Sequence, residues 1–303
     1  MNATGREKIV YELQYKELLH RFLQEDLGVE GDVTTKYLNL GNREGAASIV
    51  AREPGTAAGL IFVEPLFKLL HPECRVKSRV EEGSDFESGD SLLLLTGPAR
   101  ALLSGERTAL NLLSRTFGIA TGVRQLVNTL EGLPTRLLPT RKTLPGFRLF
   151  DKYAAELGGA ARHRYGLNDA VMLKDNHLTM GASLDEVLRS VRYSAGHMLT
   201  LEFECDRLEQ LVEVLRADSD LMEAEPRTRG VDAILLDNMS LEDLRQAVEL
   251  IRCHPRLILS EASGGITPEN LREVAETGVD YVSLGAITHT VKPVDLGLDF
   301  LEP

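Results

Sequence analysis

Apolar residues in the first part of the chain recur with a helical period. Ile9, Val10, Leu13, Leu18, Leu19, Phe22 and Leu23 predict an amphipathic helix over residues 7–26. Three short strands are expected next, at Ala46–Arg52, Arg75–Val80 and Ser91–Thr96, with GLIFVEPLFKLL between the first two reading as a helix after a glycine turn. Strands first, with helices around them, make this third α+β. Ala99–Arg115 and Ile119–Leu130 then read as two helices. Beyond them the pattern alternates. Strands are expected at Thr135–Pro139, Ala170–Leu173, Met198–Phe203, Val231–Leu236, Arg256–Ser260 and Asp280–Leu284, and helices at 147–157, 183–193, 207–217, 240–251 and 268–277. Such alternation marks a parallel sheet with crossover helices, and apolar runs such as AILLL suit strands covered on both faces. A doubly wound sheet and a barrel both fit. Six strands fall short of the eight of a closed barrel, so a barrel would be incomplete or hide a strand. The polar stretch DSDLMEAEPRTRG after Ala217 reads as a solvated surface insertion, with a lid or partner role as the alternative.

Composition narrows the function classes. A chain of 303 residues carries enough apolar sequence for one large domain or two. Its net charge of −12 argues against nonspecific nucleic-acid binding, which needs many phosphate contacts. Cys74, Cys205 and Cys253 form neither a disulfide framework nor a zinc pattern. The N-terminal stretch has no apolar signal core and no run is long enough to span a membrane, so a soluble, cytoplasmic protein is expected. Against this acidic background, Thr140 to Lys174 gathers Arg141, Lys142, Arg148, Lys152, Arg162, Arg164 and Lys174, with His163 as a further candidate cation.

The residues that follow the predicted strands answer the question this cluster raises. Arg141 and Lys142 come after the first strand and Lys174 after the second. Glu202 and Glu204 lie on the third, Asp237 and Asn238 follow the fourth, Glu261 and Ser263-Gly264-Gly265 the fifth, and Gly285 and His289 the sixth. Active sites of βα barrels lie at this end of the strands. Each piece also has a structural reading: a solvated arginine, a paired lysine, a plain glycine turn. Glu202 and Glu204 face the same side of a strand and must meet cations, a metal or each other, with Glu202 the better candidate for a structural ion pair. Ser263-Gly264-Gly265 before a helix near Thr267 fits phosphate binding. Converging cations beside two carboxylates point to a strongly anionic ligand carrying carboxylates and phosphates, with Mg²⁺.

At these residues the sequence resembles the quinolinate phosphoribosyltransferase family, also called carboxylating nicotinate-nucleotide pyrophosphorylase. The likeness runs in order through EDLGVEGDVTT, GERTALNLL, TRKTLPGFR, HRYGLNDAVMLKDNH, LEFEC, ILLDNMS, EASGGIT and GVDYVSLGAITHT, nearly the whole chain. It implies an α/β fold: an N-terminal α/β sandwich over 1–117, joined by a C-terminal return over 290–303, and an open, incomplete α/β barrel over 118–289. It implies transfer of a phosphoribosyl group from 5-phosphoribosyl 1-pyrophosphate to quinolinate, giving nicotinate mononucleotide, CO₂ and pyrophosphate in NAD biosynthesis. It also implies a homodimer in which Arg107 crosses to the partner's site. Arg141, His163 and Arg164 would complete the quinolinate pocket, and Lys142 and Lys174 would stand between the two substrates. Glu204 and Asp237 would hold the ribose hydroxyls and Mg²⁺. Asp175, Ser263, Gly264, Gly285 and His289, with Gly265 beside them, would bind the phosphoribosyl donor.

The sequence departs from the family pattern in places. Pro139 replaces an aspartate before TRKT, Ala160 ends what is otherwise a three-glycine run, and Phe117 stands where a small serine is common. Alternatives are a same-fold relative acting on another substrate, a non-catalytic ligand-binding protein, and a Schiff-base enzyme using Lys174. Retention of the acidic pair and the pocket cations favours phosphoribosyl transfer.

Overall fold

The computed structural model describes residues 12–38, 40, 43–174, 177, 183–225 and 228–302. The chain divides into two compact units. The first holds the residues up to Gln125, Thr143–Gly159 and the residues from Ile287 onward; the second holds Leu126–Lys142 and Ala160–Ala286.

The first unit is built on a four-stranded antiparallel sheet. Its strands are β1 (Glu44–Ala51), β3 (Arg75–Ser78), β5 (Ser91–Pro98) and β12 (Leu296–Phe300), in the order β12-β1-β5-β3. Two short strands the sequence pattern does not signal, β2 (Gly55–Thr56) and β4 (Asp85–Phe86), form a separate ribbon. Helices α1 (Glu12–Leu27), α2 (Val33–Tyr37), α3 (Val63–Leu70) and α5 (Arg148–Gly158) complete the unit. Asp32 caps α2 by accepting a hydrogen bond from the Thr35 amide. Phe22, Phe62, Phe147 and Phe150 pack ring against ring.

Two expectations are corrected here. The two helices expected at 99–130 are one 31-residue helix, α4 (Ala99–Thr129). Gly118 suggests a break, yet it stays helical for a packing reason: a Cβ there would lie 2.2 Å from the Lys292 carbonyl oxygen. Phe117 is fully buried and packs on Phe86, with ring centroids 5.3 Å apart. The second correction concerns the stretch after Ala217. Helix α7 (Leu208–Ala224) runs through its first half, and Asp218 and Leu221 continue the buried stripe of Leu211 and Val214.

The second unit is a six-stranded sheet whose paired strands all run parallel. In chain order these are β6 (Arg136–Pro139), β7 (Val171–Leu173), β8 (Leu201–Cys205), β9 (Ala233–Asp237), β10 (Leu259–Ser263) and β11 (Tyr281–Leu284). The spatial order is β6-β11-β10-β9-β8-β7. The first two strands in sequence are thus the two edges, and the barrel is open between them. Helices α6 (Leu184–Ser194), α7, α8 (Leu241–Cys253) and α9 (Leu271–Ala275) lie between successive strands. Ser183 with Glu186 forms a capping box on α6, and Ser240 caps α8. Pro139 sits on edge strand β6, where a proline is tolerated because one side carries no neighbouring strand. Strand β10 begins three residues later than its apolar run suggests. Glu261, Ala262 and Ser263 therefore lie inside the strand rather than after it.

Candidate active site

Parallel strands of similar length bring their C-terminal ends to one rim, and the register decides what meets there. Leu173 on β7 pairs with Phe203 on β8, so Lys174, the next residue, arrives beside Glu204. The Lys174 ammonium and the Glu204 carboxylate form an ion pair. Asp237 closes β9, two residues beyond the partner of Glu204. Asn238 follows with φ 55°, a left-handed conformation uncommon outside glycine. Its side-chain amide donates to Asp237 Oδ2 at 2.7 Å, and its backbone N–H donates to the Ser263 carbonyl at 2.9 Å.

That arrangement explains Gly264. Its φ is +80°, and a Cβ would fall 2.4 Å from Asn238 Oδ1, so the turn after β10 closes only on glycine. The turn continues through Gly265 to Asn270, whose side chain donates to the Gly265 carbonyl and accepts from the Thr267 amide. Helix α9 begins only at Leu271 and has five residues. The helix expected near Thr267 is therefore a turn, and any anion held by Ser263-Gly264-Gly265 would be held by the turn rather than by a helix terminus. Gly285 follows β11 at the same end.

The cations come from the two edges of the open barrel. Arg141 lies two residues past β6 and is half-buried, while Lys142 is exposed. The chain re-enters beside β6, where the Ala161 amide donates to the Leu137 carbonyl at 2.8 Å, and this delivers His163 and Arg164. The Arg164 pKa is lowered, first by burial and then by the charge of Arg141, against the opposing pull of Glu202, Asp169 and Glu204. Its guanidinium donates to Met172 Sδ at 3.0 Å. Like charges held together in this way favour an anionic ligand.

Beneath them Glu202 meets a possible cation, as its place on the strand led one to expect, and Glu261 joins them. His163 Nε2 stands 3.3 Å from Glu261 Oε2 and 3.8 Å from Glu202 Oε2. Both carboxylates are buried, and burial first, then the Glu261 charge and hydrogen bond, push Glu202 up to about 9. The potential ligand atoms of the three residues lie within 4.8 Å of one another. Glu261 has the polarity of a loop residue but the position of a strand residue, and only the shift of β10 reveals it.

The remaining expected residues lie elsewhere or outside the description. Arg107 is exposed on α4 in the first unit. His289 ends the short helix α10 (Ala286–His289), also in the first unit, with Nδ1 2.7 Å from Thr290 Oγ1. Asp175 lies outside the described residues.

Comparison with known proteins matches both halves of the chain to one family. Residues 32–117 match the N-terminal domain of quinolinate phosphoribosyl transferase and residues 119–299 match its C-terminal domain. A Bacillus subtilis (strain 168) protein named "Probable nicotinate-nucleotide pyrophosphorylase", carboxylating, is 40% identical over 95% of this chain and 93% of its own. The carboxylating nicotinate-nucleotide pyrophosphorylase of Mycobacterium leprae is 38% identical over 94% of this chain and 96% of its own. The solved nicotinate-nucleotide pyrophosphorylase of Francisella tularensis superposes with a TM-score of 0.86, at 30% identity, covering 96% of this chain and 98% of that one.

Proposed function

The chain belongs to the quinolinate phosphoribosyltransferase family, and we infer from that membership that it is a carboxylating nicotinate-nucleotide pyrophosphorylase of NAD biosynthesis. It transfers the phosphoribosyl group of 5-phosphoribosyl 1-pyrophosphate to quinolinate and releases CO₂ and pyrophosphate. The observation that best supports this reading is the convergence on one end of the barrel of the Lys174–Glu204 pair, Asp237, and the adjacent cations Arg141 and Arg164.

The residue roles follow from charge. Arg141, His163 and Arg164 hold the two carboxylates of quinolinate, for which the planar guanidinium fork is suited. Ser263, Gly264, Gly265 and Gly285 offer backbone for close approach to the donor, with Asp175 and His289 as further donor contacts. As the C1–O bond of the ribose breaks, its electron pair leaves with pyrophosphate and positive charge grows on the ring. Glu204 and Asp237 stabilise that charge, and Lys142 and Lys174 stabilise the departing oxygens. The pyridine nitrogen forms the new bond to C1 and becomes cationic. It then draws the electron pair left on the ring carbon when CO₂ departs, and that carbon takes up a proton. Much of the rate gain is positional, because two anions must be brought together.

Glu204 and Asp237 fit a divalent cation shared with the substrate. Both are half-buried carboxylates at the ends of neighbouring strands, hard oxygen donors too few to enclose a metal alone. Mg²⁺ bound there would supply charge neutralisation for pyrophosphate. We place the protein in the cytoplasm as a homodimer, with Arg107 on exposed α4 entering the partner's quinolinate pocket. Three free thiols suit that compartment, and among the described residues no helix is long and apolar enough to cross a membrane.

Release of labelled CO₂ from quinolinate labelled in its 2-carboxylate tests the reaction, with 5-phosphoribosyl 1-pyrophosphate and Mg²⁺ each omitted in turn. Release that requires both is expected. A folded protein that releases none would overturn the assignment. The shared site has its own test: mixed dimers of Arg107→Ala and Arg141→Ala, each inactive alone, should regain part of the activity.

A further inference from the structure

Two carboxylates buried beneath a pocket for a dianion call for an explanation. Placed there as free charges they would repel the substrate and carry a large desolvation cost. Glu202 and Glu261 do not reach the rim as Glu204 does. They sit on β8 and β10 below it, with their carboxylate oxygens within 4.8 Å of each other. What they face is His163: one Nε2 atom stands 3.3 Å from one carboxylate and 3.8 Å from the other. The second oxygen of Glu261, Oε1, is buried without a hydrogen-bond partner among the described residues, so Glu261 is not a fully satisfied structural carboxylate. Arg164, the residue after His163, is committed to the same pocket.

We propose that Glu261, supported by Glu202, is a positioning residue for His163: the carboxylate holds Nε2–H and fixes the plane of the imidazole, so that His163 meets a carboxylate of the pyridine substrate in a set orientation. The proposal rests on the functional reading above and deepens it. An imidazole fixed by a carboxylate enters the complex with its orientation already set, whereas a mobile ring would lose that freedom on binding.

The test measures full-length Glu261→Ala and Glu261→Gln beside His163→Ala and the double variant His163→Ala/Glu261→Ala. Steady-state assays separate KM for quinolinate from KM for 5-phosphoribosyl 1-pyrophosphate, and calorimetry measures quinolinate binding. Loss of a charge-assisted contact should raise KM for quinolinate about tenfold or more in Glu261→Ala. The donor KM should stay within about twofold. Glu261→Gln keeps an acceptor oxygen and should recover part of the loss. It also carries the test if the alanine variant does not fold. The double variant should be no worse than His163→Ala, because the carboxylate acts through the imidazole. Additive losses, equal rises in both KM values, or an unchanged quinolinate KM would refute the proposal. So would stoichiometric zinc in the purified protein that Glu261→Ala loses, since the trio would then be a metal site. An inactive wild type would instead defeat the functional reading, which keeps the two failures apart.

Discussion

The two ends of the second unit use the same residue types to opposite effect. At the N-terminal ends of the strands, opposite charges meet. Arg192 and Arg229 both pair with Asp232, at 2.7 and 2.6 Å, and Asp232 also accepts from the Leu201 amide at 2.8 Å. Buried Asp218 accepts from the Val231 amide and faces Arg256 and His254 at 3.5 and 3.6 Å. At the C-terminal ends Lys174 still pairs with Glu204, but like charges also stand together. The charge of Arg141 acts on Arg164, and that of Glu261 on Glu202. One end neutralises its charges within the protein, and the other keeps part of its charge for a ligand. In a βα barrel that division separates stability from catalysis, and unmatched charge marks the functional end.

Substitutions that separate the two ends can break this comparison. The largest effect is expected from Lys174→Ala or Arg141→Ala, which should lower CO₂ release about 1000-fold, the scale for removing a preorganised transition-state contact. Their melting temperatures should match or exceed that of the wild type. A folded variant retaining most activity would show that charge kept for a ligand is not what the rim contributes. Asp232→Ala is expected to do the reverse. Breaking a largely buried pair should cost about 3 kcal/mol in denaturant unfolding, with kcat and both KM values within about twofold. Catalytic loss without destabilisation would merge the two ends into one functional network.

Asn238 tests a smaller difference at the rim. Asn238→Gly keeps the left-handed backbone but loses the amide to Asp237, whereas Asn238→Ala loses both. Each should weaken kcat/KM for the phosphoribosyl donor about tenfold, and only alanine should destabilise the fold, by about 1 kcal/mol. Equal stability would remove backbone strain from the account of the Gly264 turn.

The smallest expected effect is in pH. Burial raises the Asp232 pKa, but the Leu201 amide, the Arg192 hydrogen bond and charge, and the charge of Arg229 together lower it below the ordinary aspartate value. A depressed folded-state pKa contributes stability above the unfolded value, and that contribution is lost as pH falls through the folded one. The stability gap between wild type and Asp232→Asn should therefore be constant near neutrality and close below about pH 4. A gap that persists into acid would mean that the hydrogen bonds, not the charge, carry the contribution.

Much of this molecule could be read along the chain. Alternating apolar runs marked all six barrel strands, and the residues just past them supplied Arg141, Lys174, Asp237 and the Ser263 turn, because strand direction alone sends strand ends to one side. Helix caps and buried stripes are likewise local. The tertiary structure decided what depends on a distant partner. Gly118 stays in one helix because the Lys292 backbone passes against it, and Asp218 is buried because Val231, His254 and Arg256 close over it. Glu261 shifts from a loop into a strand through pairing with β9 and β11, and only then meets His163 and Glu202. Periodicity records which side of an element is covered, but the covering group is chosen by sheet register and packing among segments far apart in the chain.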